Sequence, residues 1–203
     1  MQQLNPAEIF VDYFRTFMQV ADDKAKSFGE LSEHPTGWAA SFESLFLFKL
    51  EVQRHCSARD ALILDAGSGV SSAVLRVWFD NVITCDNDRH YMANVRRTCE
   101  ALTTKFQAPR LSDGGWVDGY YEKPVDSVFY DFGNFDVRRE MLPTALGFVK
   151  NVAYLDDIDH RDRAMALRGT TFWEGRAKGF ALRDVHEAID EFGRWGVMAT
   201  RVK

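Results

Sequence analysis

Acidic residues in this chain close four short apolar runs. Asp65 ends "ALILD", Asp86 ends "NVITCD", Asp131 ends "VDSVFYD", and the pair Asp156 and Asp157 ends "NVAYLDD". Directly after the first run come Gly67-Ser68-Gly69 and the small residues of "VSSAVL". Glycines at such a turn let a ligand approach the backbone, because no Cβ stands in the way. A carboxylate at a strand end can accept hydrogen bonds from hydroxyls, attract a cation, or take a proton from a reacting group. The pattern describes a binding turn for a nucleotide-like ligand, with acid/base groups on the same rim.

Two cofactor classes fit the turn. As a dinucleotide fingerprint, G-x-G-x-x-G, it places Gly67, Gly69 and Ser72 at the three glycine positions. As an acid-x-Gly-x-Gly turn it suits S-adenosyl-L-methionine. Asp65 separates the two by charge. A dinucleotide brings a pyrophosphate to this point, which a nearby carboxylate repels; S-adenosyl-L-methionine brings an ammonium and a sulfonium, which it attracts. The third dinucleotide glycine is also missing. Asp86, followed by Asn87, falls where a βαβ unit presents an acid to two ribose hydroxyls, a feature both classes share.

The remaining strand ends carry the candidates for chemistry. Asp131 is expected either to orient the amino-acid part of the cofactor or the substrate, or to cap the helix after it. Asp157 and His160 are candidate general bases, and His34, in the loop "GELSEHPTGW", is a third. Asp131, Asp156 and Asp157 offer oxygen donors of the kind that hold Mg²⁺ or Ca²⁺. The reading adopted is the plainer one, in which Asp157 or Asp159 caps a helix, the other charges are solvated, and no metal is bound. Trp38 and Ser41 are placed to face an acceptor from the N-terminal loop. Asp113, just before Trp116, is placed to accept an adenine amino hydrogen. Arg138, Arg139, Arg161 and Arg163 read as a solvated helix face.

These residues need a frame that gathers strand ends. The runs at 61–65, 81–86, 125–131 and 151–157 suit strands buried on both faces of a parallel sheet. A weakly marked strand is expected at 108–113, "APRLSD". Helical segments lie between them, and strand-helix-strand repetition means a doubly wound α/β sheet. Ahead of it, Asn5 and Pro6 open a helix carrying Ile9, Tyr13, Phe14, Phe17 and Val20 at helical spacing, and a second helix carries Leu45, Phe48 and Val52. Beyond it, "HRDRAMALRGTTFWEGRAKG" reads as helix turning irregular, and "VHEAIDEFGRWGVMATRV" as a hairpin that turns at Gly193.

With no linker or repeat, one domain over 1–203 is expected, made of an N-terminal helical lid (1–57) and a cofactor-binding core (58–203). A chain of 203 residues with 46% hydrophobic content can bury its own core. A net charge of -5 argues against gripping a phosphate backbone, so no nucleic-acid partner is expected. The three cysteines, an odd number, suit free thiols in the cytoplasm. Without a signal peptide or an apolar run near 20 residues, no membrane partner is expected.

The order "LILDAGSGVSS", "VITCDND", "DSVFYDFGN", "NVAYLDDIDHR" resembles class I S-adenosylmethionine-dependent methyltransferases over roughly residues 58–203. It is most similar to the branch acting on small molecules, and "AIDEFGRW" is similar to a late stretch of such proteins. The resemblance implies a Rossmann-like sheet of seven strands in the order 3-2-1-4-5-7-6, with strand 7 antiparallel. It implies S-adenosyl-L-methionine contacts at Asp65, Gly67, Ser68, Gly69, Asp86, Asn87, Asp113 and Asp131. It also implies methylation of an O or N atom on a small-molecule acceptor; a homodimer is counted among the possible partners. The sequence departs from the pattern at Ser71, where a third glycine is usual, and no Asn-Pro-Pro-Tyr motif follows the fourth strand. A non-catalytic binder of S-adenosylmethionine or S-adenosylhomocysteine, and an NAD-dependent oxidoreductase, are the alternatives.

Overall fold

Ser41 caps the first described helix, α1 (Phe42–His55), by accepting the Ser44 backbone N–H at 3.0 Å. The computed structural model describes residues 40–57, 59–106, 114–190 and 193–202. The expected helix through Ile9 and Val20, together with His34, Trp38 and Asp113, lies outside the described residues. Helix α1 turns Leu45, Phe48 and Val52 inward, all fully buried. It is pinned to the sheet by the Tyr154 hydroxyl, which donates to Ser44 Oγ at 2.8 Å. Ser41, expected to face a substrate, instead serves this helix end.

The chain continues through β1 (Leu62–Ala66), α2 (Val70–Trp78), β2 (Asn81–Asp86), α3 (Arg89–Phe106), β3 (Trp116–Asp118), β4 (Val125–Tyr130) and α4 (Phe135–Phe148). It ends with β5 (Val149–Ile158), α5 (Asp162–Ala177), β6 (Phe180–Val185) and β7 (Trp195–Arg201). The seven strands lie in the order β3-β2-β1-β4-β5-β7-β6. Strands β1 to β5 pair in parallel, while β7 runs antiparallel to both β5 and β6. The winding direction reverses between β1 and β4, and that reversal opens the crevice where ligands bind in such sheets.

Three local expectations need correction. The third strand is Trp116–Asp118, paired with Thr84–Asp86, rather than 108–113, which lies outside the described residues. It is a three-residue edge strand, too short and too exposed to leave an apolar run. The C-terminal hairpin does contain β7, but its other arm is β6, upstream of the expected one. "HEA" makes a 3₁₀ turn instead. Helix α5 does not turn irregular but runs unbroken to Ala177, held by its buried face of Ala164, Leu167, Thr171 and Gly175, with the Thr170 and Thr171 hydroxyls donating to the Ala166 and Leu167 carbonyls within the helix.

Alternate residues of each strand point to opposite faces, and helices cover both. On one side Ile63, Val82, Phe129, Val152 and Tyr154 meet α1, α2 and α3; on the other Leu64, Cys85, Val128, Ala153 and Leu155 meet α4 and α5. Among the described residues no helix is long and apolar enough to cross a membrane.

Candidate functional site

The turn after β1 is set by a backbone collision that only glycine avoids. Gly67 has φ +104°, and a Cβ there would stand 2.1 Å from the Asp131 carbonyl oxygen at the end of β4. Its N–H donates to the Cys85 carbonyl at 2.9 Å, while the Asp131 N–H donates to the Ala66 carbonyl at 2.7 Å. The ends of β1, β2 and β4 are thus drawn together at the switch point. Gly69 is different. A Cβ on it would meet nothing within 4 Å, and its φ of -178° suits any residue.

Asp65 lies behind this turn, fully buried. Its Oδ1 accepts from Ser71 Oγ at 2.8 Å, and its Oδ2 accepts from Ser72 Oγ at 2.6 Å and Thr84 Oγ1 at 3.0 Å. Ser72 Oγ also accepts the Gly69 N–H at 3.0 Å, so the carboxylate holds the turn through a hydroxyl. Burial raises the Asp65 pKa, and these hydroxyls and the nearby Arg76 oppose the rise. Arg76 is itself buried. It donates to Thr84 Oγ1 and to the Ser72, Val82 and Gly115 carbonyls, with its guanidinium 4.0 Å from the Trp116 ring centre. Trp116, expected near an adenine, stacks on this cation and ties β3 to the turn.

Asp86 is the acid closer to open space. Its Oδ2 accepts both the backbone N–H (2.7 Å) and the hydroxyl (2.6 Å) of Ser68, and its Oδ1 accepts the Asp88 N–H at 2.8 Å. A carboxylate offers about four acceptor positions. One therefore stays available on Oδ1 among the described residues, and a ligand hydroxyl can take over that of Ser68.

The ends of β4 and β5 are charged. Opposite Gly196 of β7, strand β5 carries two residues, Asp156 and Asp157, where one would pair; this bulge gives Asp157 a left-handed φ of 63°. Bulges re-aim side chains, and aspartate tolerates this conformation better than most. Gly196 fits because a Cβ there would strike the Tyr154 ring. The Asp157 carboxylate accepts from Arg194 at 2.8 Å and from Arg138 at 3.3 Å and 3.4 Å. Arg138 also pairs with Asp131, and donates to the Gly133 and Asp156 carbonyls at 3.1 Å and 3.3 Å. Arg194 is chelated in turn by Asp190.

Arg138 is only 7% exposed, so its reading as part of a solvated face is overturned. A helix position alone did not reveal that α4 lies with this residue over the strand ends. Asp131 does not cap α4 either, because Asn134 does, accepting the Asp136 and Val137 N–H groups. Neither Asp157 nor Asp159 caps α5: Arg161 stands at the N-cap without a side-chain cap, and Asp159 instead makes an Asx turn ahead of the helix, accepting the Arg161 N–H at 2.7 Å and pairing with its guanidinium. Asp156 is buried, and burial together with the neighbouring Asp157 pushes its pKa up to about 7, with Arg138 opposing.

The structure therefore brings Asp65, Gly67, Ser68, Gly69, Asp86, Asp131 and Asp157 to one edge. Asn87 follows directly after Asp86, and its amide nitrogen lies 3.3 Å from where a Cβ on Gly133 would stand. His160 is exposed, its ring 5.0 Å from that of Trp195, and does not join the acids. Among the described residues no group of three or more His, Cys, Asp or Glu is arranged to hold a metal. Ser71, Ser72, Thr84, Arg76 and Arg138 were missed as site residues. For the serines a signal existed: hydroxyls in the first turn of the helix, one of them where a third glycine is usual, directly across the glycine turn from a strand-end acid.

Together these groups test which ligand the edge fits. At this edge Asp86, Asp131 and Asp157 outnumber the two guanidinia that meet them, Arg138 and Arg194, while Asp65 lies behind the turn with its oxygens on hydroxyls. The surplus is negative. It suits a ligand that carries positive charge and hydroxyls, and it opposes a pyrophosphate.

No family model matches the sequence, and no curated protein sequence matches it. Solved structures do share its fold. Magnesium protoporphyrin IX methyltransferase from Synechocystis PCC 6803 with bound SAM aligns over 100% of both chains, at 12% identity and a TM-score of 0.62. The same enzyme with bound SAH gives 0.63 at 11% identity, over 97% of this chain and 100% of that one. A precorrin 8W decarboxylase from Methanobacterium thermoautotrophicum gives 0.54 at 13% identity, over 79% and 90%. The chain has the class I methyltransferase fold.

Proposed function

We propose that the chain is an S-adenosyl-L-methionine-dependent methyltransferase acting on an O or N atom of a small molecule. The observation that carries this reading is the glycine turn at the switch point beside a rim with surplus carboxylates. The SAM and SAH bound by the Synechocystis methyltransferase of the same fold support it.

When bound, S-adenosyl-L-methionine supplies a methyl carbon already activated by its sulfonium. What this chain contributes is alignment, charge and, where the acceptor needs it, a proton sink. The Gly67–Gly69 backbone would lie against the ligand, with Asp86 accepting its ribose hydroxyls and Asn87 beside it. Asp131, held by Arg138, would face the ammonium. Asp65 acts through the loop it anchors.

Asp157 has both carboxylate oxygens on guanidinia, which suits it to hold Asp156 in place. Asp156, with a proton affinity near neutrality, is then the better base to take the acceptor's proton as its lone pair attacks the methyl carbon. His160 and His34 stay the alternative candidates for the base. A small-molecule acceptor, rather than nucleic acid, is the reading that the net charge of -5 supports.

Calorimetry with S-adenosylhomocysteine and with NAD tests the cofactor, and transfer of a radiolabelled methyl group into a cell extract tests the chemistry. Binding of the first ligand and labelling of a low-molecular-weight product are expected. NAD binding without S-adenosylhomocysteine binding would refute the assignment, and cofactor binding without any transfer would leave a binder rather than an enzyme.

A further inference from the structure

Helix α5 is apolar on two faces. Ala164, Leu167, Thr171 and Gly175 turn inward against the sheet. A surface helix should then be polar outside. Here the outward stripe carries exposed Met165, Gly169 and Trp173 at helical spacing, flanked by Phe172, which is half-buried with Arg168 and Arg176 against its ring. Trp173 is 75% exposed, the most of any large hydrophobic residue described. Beside it opens a groove of about 420 Å³, lined by Gly169, Phe172, Trp173, Arg176 and Ala177. A Cβ on Gly169 would meet nothing within 4 Å, so the fold itself does not call for a glycine that weakens the helix.

We propose that two copies of the chain pair through this face, α5 against α5, antiparallel about a twofold axis at the level of Thr171. A twofold contact must be self-complementary, since each residue meets the same partner position in both directions. One projecting ring and one gap, four residues apart on a single stripe, meet that demand. Pairing about Thr171 sets each Trp173 over the partner's Gly169 and each Met165 beside the partner's Ala177.

Charge fixes the direction. The stripe opens on exposed Asp162 and closes on exposed Arg176. Antiparallel pairing carries each Arg176 toward the turn that holds the partner's Asp162 and opposes the two helix dipoles, whereas parallel pairing would set like ends together. Arg163 belongs to the same end but reaches Asp136 of its own chain at 3.7 Å. A helix of 16 residues is about 24 Å long, which makes a small interface and a reversible dimer. The proposal does not rest on the methyltransferase reading.

Sedimentation velocity on the full chain, from about 1 to about 100 µM, tests it. The expected mass climbs with concentration toward twice the 23.2 kDa of one chain. Trp173→Glu, and separately Gly169→Arg, should hold the protein monomeric throughout, with circular dichroism and melting unchanged because both positions face solvent. Asp162→Arg should weaken the dimer, and adding Arg176→Asp should restore it. A wild-type chain that stays monomeric would overturn the proposal. So would a dimer that survives both single substitutions, or a charge swap that fails to restore pairing.

Discussion

Asp65 and Asp157 both end strands at the carboxyl edge of the sheet, yet their oxygens are engaged by different chemistry. Around β1 and β2, Asp65 and Asp86 are met by Ser68, Ser71, Ser72, Thr84 and backbone N–H groups. Around β4 and β5, Asp131 and Asp157 are met by Arg138 and Arg194. A neutral hydrogen bond contributes a net of about 0.5–1.5 kcal/mol and can be exchanged for an equivalent one from a ligand. A buried guanidinium pair resists exchange, because removing one partner strands the other charge. The hydrogen bonds of the first region can be exchanged for those of a ligand; the ion pairs of the second hold a fixed geometry.

Gly67 is where the two regions touch, so breaking it should do the greatest damage. Gly67→Ala forces a Cβ into the Asp131 carbonyl and a side chain into a left-handed conformation, and it should cost about 4 kcal/mol or more. Urea unfolding would show this. A variant as stable as the parent would mean that the ends of β1 and β4 are not held together as described.

Arg138→Leu attacks the second region alone. It leaves Asp131 and Asp157 facing each other without their common cation and should cost about 3–5 kcal/mol near pH 8. The deficit should shrink as the pH falls, because protonation removes the charges that the arginine had offset. Unfolding curves at pH 8 and pH 5 give the comparison, and a deficit independent of pH would assign Arg138 a packing role only.

The same contrast explains what could be read from the sequence. Runs such as "ALILD" and "NVAYLDD" announced buried strands, and the strand ends announced the acids, because both depend on local residue type. β3 and β6 are edge strands, half-exposed and without an apolar run, so nothing local marked them. The charge argument on Asp65 chose the cofactor class, but its partners are Ser71, Ser72 and Thr84, one of them from a different strand. Arg138 looked like a surface residue because sequence shows a helix face, not what lies beneath it. The bulge that distinguishes Asp156 from Asp157 depends on pairing with β7, which no pattern in "LDDIDH" encodes.

Within the second region Asp156 should separate function from stability. Asp156→Asn is expected to lower the methyl-transfer rate by about 10²-fold, the effect of losing a general base. The parent rate should rise with pH through about 7 as the carboxyl loses its proton. Stability runs the other way. A folded pKa raised from 3.8 to about 7 means the charge is a burden that grows as the pH climbs between those values. The asparagine variant should therefore gain on the parent in melting temperature from pH 4 to pH 8. A full rate in the variant would return the role of base to His160 or His34.

Gly69→Ala is the smallest change and the sharpest test of the first region. Gly67 is required by the protein, because its absent Cβ is where Asp131 passes; nothing in the protein occupies the corresponding place at Gly69. With φ at -178°, alanine fits there without strain, and stability should change by no more than about 0.5 kcal/mol. If the open side of the turn is where S-adenosylhomocysteine lies, the added methyl meets the ligand instead, and affinity should fall about tenfold, or about 1.4 kcal/mol. Paired melting and calorimetry on one protein sample decide the matter. Lost affinity at constant stability would mean that this glycine is explained by the ligand alone, and retained affinity would place the cofactor on another face of the turn.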